Sequence, residues 1–85
     1  MTDIEKLELV KDLCVFWNHE YHVNDNIRWN SIVWAQVLID IVSPIIGAEF
    51  EQHYSISMRQ KSLQIMHRKE PALYNKIKPF LHMEE

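Results

Sequence analysis

The run His19-Glu20-Tyr21-His22 gathers several groups of this chain that could do chemistry. Two imidazoles three residues apart share one face of a helix, and neutral imidazole is a common metal ligand. With His53 or His67 close by in space, they could hold a divalent ion. A closed zinc site needs four ligands, usually with thiolates among them, and Cys14 is the only cysteine. The His-Glu-x-x-His pattern of zinc hydrolases is missed as well, because the second histidine comes one residue early. The expectation is no metal site and no cofactor, with these histidines at a helix surface or end.

Nucleophilic chemistry has no better footing. Cys14 lies between Leu13 and Val15 and reads as a buried small hydrophobe. A lone thiol also excludes an internal disulfide framework and suits a reducing compartment. Ser31, Ser43, Ser55, Ser57 and Ser62 fall where helix caps or exposed helix positions are expected. None of them has a recognisable base oriented by a third group. Gly47 is the single glycine, so no glycine-rich loop can cradle a phosphate. On these motifs the chain is not expected to be an enzyme.

Charge offers one further chemistry. Residues 1–55 hold nine acids against three bases, whereas residues 56–80 hold Arg59, Lys61, Arg68, Lys69, Lys76 and Lys78 against Glu70 alone. These six cations could bind nucleic acid or a phosphate ligand. The net charge of −3 and a pI near 5.9 argue against the strongly basic footprint of such domains. Two solvated helix faces explain the same asymmetry.

Elements must position any of these groups, and the pattern calls for helices throughout. One glycine and three prolines leave few places for hairpin turns, and no strict apolar–polar alternation occurs. A first helix is predicted over about 3–22, opened by a Thr2/Glu5 capping box. Its buried stripe is read as Ile4, Leu7, Val10, Leu13, Cys14, Trp17 and Tyr21, with Leu9, Phe16 and Val23 as a second line. Asn24-Asp25-Asn26 ends it.

A second helix should begin near 27–30, capped by Asp25, Asn26 or Asn30, and run to about Val42. From Ile32 to Ile46 only Gln36, Asp40 and Ser43 are polar, so this helix should be central and buried nearly all round. Gln36 and Asp40, four apart, read as a narrow solvent strip, or as groups bonding across an interface. Ser43-Pro44 reads as an N-cap and first position of a third helix. That helix should reach about Lys69, with a break near Gly47 or near 55–57, and carries Ile46, Phe50, Tyr54, Met58, Ile56, Leu63 and Met66 as its apolar positions. Pro71 opens a short fourth helix, Pro79 ends it, Phe80 and Leu81 fold back on the core, and Met83-Glu84-Glu85 fray.

Together these elements predict an all-α fold: one domain, 1–85, as a compact bundle of three to five helices around a central apolar helix. The chain is 47% hydrophobic with three tryptophans, more apolar surface than so small a bundle can hide. The surplus points to non-catalytic binding of another protein, with self-association expected. Trp17, Tyr21, Trp29 and Trp34 are the candidate anchors, since Trp and Tyr dominate interfaces. No secretory leader is read at the start, and the 32–46 run is too short to span a bilayer, so a cytoplasmic protein without membrane insertion is expected.

The length, the single glycine and the Trp-Asn stretches Phe16-Trp17-Asn18 and Arg28-Trp29-Asn30-Ser31 resemble the short accessory proteins of T-even-like phages. Among these the chain looks most like the cytoplasmic lysis-inhibition accessory proteins. The resemblance implies a regulator or antagonist that binds another protein, in that family a holin's cytoplasmic segment. It carries no functional residue over to this sequence.

Overall fold

Capping chemistry fixes where the helices begin. In a computed structural model that describes residues 1–24, 27–51 and 55–81, Thr2 and Glu5 form the reciprocal capping box that opens α1, Asp3–Val23. The Glu5 amide donates to Thr2 Oγ1 and the Thr2 amide to Glu5 Oε1, each at 3.2 Å. The Thr2 amide first, and the Thr2 hydroxyl second, hold the Glu5 carboxyl below the usual carboxylate range. Asn30 caps α2, Ser31–Ile46, by accepting the Val33 amide at 3.0 Å. α3 spans Ile56–Lys69 and α4 spans Pro71–Ile77, followed by one 3₁₀ turn at Lys78–Phe80. Asp25 and Asn26 as turn or cap, His53 and Tyr54, and the frayed end at Met83–Glu85 lie outside the described residues.

The bundle is all-α, as the sequence predicts. α1 packs against α2 and α4, and α3 against α4 and α2, so the four helices close a ring around one core. That core is built from Leu9, Leu13 and Trp17 of α1, Trp34, Val37, Ile41 and Ile45 of α2, Leu63, Ile65 and Met66 of α3, and Leu73 and Ile77 of α4. Leu81 is buried and Phe80 half-buried against it, so the chain folds back after Pro79 as expected.

Three sequence expectations are corrected. First, Ser43-Pro44 does not start a helix. α2 runs through it to Ile46 and stops at Gly47, whose φ of 72° is the left-handed geometry glycine adopts without strain. The Gly47 and Ala48 amides both donate to the Ser43 carbonyl. The Ser43 hydroxyl bonds back to the Ile39 carbonyl at 2.6 Å instead of capping forward. Pro44 has no amide hydrogen, so α2 carries one missing ladder bond in its last turn. The third helix accordingly begins at Ile56, not at Pro44.

Second, the buried line of α1 is Leu9, Leu13, Trp17 and Glu20. The helix is turned by roughly a quarter-circle from the predicted stripe. Ile4 and Leu7 are 76% and 68% exposed, and Cys14 and Tyr21 are exposed with them. Cys14 follows Leu13 by 100° on the helix, so seating Leu13 in the core turns the thiol outward. Third, Ser62 is fully buried, its hydroxyl satisfied by the Met58 carbonyl at 2.8 Å, and Ser43 is buried too.

Candidate interaction face

The three tryptophans and Tyr21 form one cluster, anchored at the α1/α2 contact. The Trp17 and Trp34 ring centroids are 4.4 Å apart, and Trp29 and Tyr21 reach Trp34 at 5.8 and 5.7 Å. The Trp17 indole N–H donates to the Trp34 carbonyl at 2.8 Å, satisfying a buried donor and tying α1 to α2. Of the four candidate anchors, Trp17 and Trp34 are therefore core residues. Only Tyr21, 44% exposed, and the half-buried Trp29 can touch a partner.

Sequence reading expected an apolar surplus but missed its place, which is beside this cluster. On α2 the residues Ile32, Ala35, Ile39, Val42 and Ile46 follow one another at spacings of three and four. Ile32 and Ile46 are more than 60% exposed, Ile39 is 47% exposed, Ala35 is exposed and Val42 half-buried. α2 is thus buried along one side, and its centrality is only partial. On α1 the series Ile4, Leu7, Lys11, Cys14, Asn18 and Tyr21 has the same spacing and is exposed throughout. The two series meet at one end. Asn18 and Tyr21 of the first and Ala35 of the second line the same shallow groove of about 180 Å³, floored by Trp17, Trp34 and Leu38. The signal in the sequence was the regular three-four spacing itself, read there as core.

The charged side chains divide into structural pairs and free surface. Asp40 does not lie on a solvent strip. Its Oδ2 accepts from Arg59 Nε at 2.8 Å, with both side chains 19% exposed, joining α2 to α3. Glu20, 2% exposed, accepts from Lys69 Nζ at 2.8 and 3.2 Å and from Asn24 Nδ2 at 3.1 Å. Burial alone pushes the Glu20 carboxyl up, but the Lys69 ammonium and the Asn24 amide outweigh it and hold it below the usual carboxylate range. Of the six cations in the basic segment, Arg59 and Lys69 are thereby engaged with acids of the same chain. Lys61 and Arg68 lie seven apart on the exposed side of α3, and Lys76 and Lys78 are exposed near the C-terminal end.

His19 and His22 both sit on the surface of α1, and His22 packs edge-on against Tyr21 at 5.2 Å. Among the described residues no group of three His, Cys, Asp or Glu side chains could hold a metal ion. A second groove, about 390 Å³, opens between α1 and α4 and is lined by Asp12, Val15, Phe16, His19, Glu70 and Lys76 among others. It mixes both signs of charge with apolar walls and converges on no buried polar group. Among the described residues no helix is long and apolar enough to cross a membrane. No protein-family model, no curated protein and no solved structure matches this chain.

Proposed function

We propose that this protein is a non-catalytic binding module, a small regulator or antagonist that acts by docking its α1/α2 face onto a protein helix. The observation that carries the reading is the exposed apolar stripe of α2 meeting the mixed exposed series of α1 at one groove, with Tyr21 at its rim. Single exposed apolar residues are ordinary on any protein, but a contiguous, regularly spaced set marks an interaction surface. An amphipathic helix laid in the groove would cover Tyr21, Ala35 and Leu38 and extend along the exposed residues on either side. The resemblance to lysis-inhibition accessory proteins of T-even-like phages agrees with this mode and suggests a lysis protein as the target. The same face also provides for self-association.

Anion or nucleic-acid binding by the 59–78 segment is the lesser reading. Arg59 and Lys69 already hold Asp40 and Glu20, which leaves Lys61, Arg68, Lys76 and Lys78 for such a role. Affinity capture from the native cell, identified by mass spectrometry, tests the choice. One protein should be retained by the wild type and lost with Leu7→Glu and with Tyr21→Ala, both at unchanged melting temperature. Retention that survives both changes but fails with Arg68→Glu would reject the α1/α2 face in favour of the basic segment.

A further inference from the structure

We infer that a second copy of this chain occupies the α1/α2 face, pairing α2 against α2 in antiparallel fashion within a two-fold symmetric dimer. The inference rests on the reading of this face as a protein-binding surface and names its occupant. The α2 stripe from Ile32 to Ile46 extends along about 21 Å of helix. Its three-four spacing is that of a coiled-coil seam, which packs best against another helix of the same spacing.

Charge selects the partner. Asp40 is the only ionised residue of α2, and it is committed to Arg59 on the side turned away from the stripe. A charged target surface would therefore lose hydration against the stripe without gaining a counter-charge. An identical stripe opposes no like charges. It also satisfies two-fold symmetry, because each contact is made twice. With the helices antiparallel, Ala35 can lie opposite Ile46 of the second copy and Ile39 opposite Val42, small side chains against large.

The extent suits a weak dimer. Beside α2, the α1 series adds Asn18 and Tyr21 at the shared groove, with Cys14, Lys11 and Leu7 exposed further along the helix. Two adjacent helices about 25 Å long and about 10 Å wide present about 500 Å² in projection. That is below the roughly 800 Å² each partner covers in a stable complex, and about 1,000 Å² in total is the size of a weak, concentration-dependent pairing.

Sedimentation velocity on the full chain between about 1 and about 100 µM tests the pairing. The wild type should be dimeric at the upper concentration. Ile39→Glu should be monomeric there, its dissociation constant raised at least about thirtyfold, with helicity unchanged by circular dichroism. Val15→Glu, at an exposed position in the other groove, should dimerise as the wild type does. Should Ile39→Glu fail to fold, Ile46→Lys makes the same test at a more exposed position. A wild type that stays monomeric at about 100 µM, or a dimer that persists in both stripe variants, overturns the proposal. A monomer that still captures a target through Leu7 and Tyr21 would overturn the dimer alone and leave the protein-binding reading standing. A stripe-dependent dimer with no such capture would do the reverse.

Discussion

Glu20 is the residue at which the local chemistry and the fold meet. A carboxylate 2% exposed survives only because Lys69 and Asn24 supply three donor contacts to its oxygens. Lys69 comes from the far end of α3, so one ion pair closes the bundle between elements 49 residues apart. Replacing Lys69 by Met should cost about 2 kcal/mol, because it strands most of a buried charge. Replacing Glu20 by Gln, which keeps an acceptor, should cost about half of that at neutral pH. The two variants also differ in acid. The folded-state pKa of Glu20 lies below its unfolded value, so its contribution is complete above the unfolded value and drains away as pH falls through the folded one. Between about pH 5 and about pH 3 the urea midpoint of the wild type should therefore fall further than that of Glu20→Gln. Equal slopes for the two proteins would mean that other carboxylates carry the acid sensitivity.

The starts of α1 and α4 were legible in the sequence, and that of α2 to within three candidate caps, whereas the α2/α3 boundary and the rotation of α1 were not. A cap is decided by two or three neighbouring residues, so Thr2 with Glu5, Asn30 with Val33, and Glu70 before Pro71 announce their roles locally. Which side of a helix turns inward is decided by what packs on it. α1 carries apolar residues at three-four spacing along two lines, and Leu9, Leu13 and Trp17 match the facing helices while Ile4, Leu7 and Cys14 do not. The buried Glu20 lies on the winning line, so polarity at that position pointed the wrong way. Ser43-Pro44 misled similarly, since its motif is that of a helix start but the stop signal came three residues later. Gly47 supplies that stop, and a Cβ there would meet no atom within 4 Å. Gly47→Ala should therefore lose about 1 kcal/mol through backbone strain alone, readable as a lowered urea midpoint with an unchanged slope. Asn30→Ala, which removes the cap at the opposite end of α2, should lose a similar amount.

For the molecule as a whole, stability and pairing become one quantity. A domain of 85 residues buries a modest share of its surface, and this one leaves three isoleucines of a single helix in water. α2 is rich in Ile and Val, which are weak helix formers, so contacts rather than propensity hold it helical. Covering its outer stripe with a second α2 would stabilise the folded state directly, and mass action would make that gain depend on concentration. Unfolding of a dimer into two chains shifts by about 1.4 kcal/mol for each tenfold change in concentration, which for 170 residues corresponds to a melting temperature about 4 °C higher. Differential scanning fluorimetry from about 1 to about 100 µM should show that rise in the wild type and a flat line in Ile39→Glu. A flat line in both would place every stabilising contact within one chain. The same dependence bears on regulation, because a target helix and a second copy compete for one face. Capture of a target should weaken as the concentration of the chain rises above its dimer dissociation constant, and Ile46→Lys, impaired in pairing through α2 but intact along α1, should escape that loss.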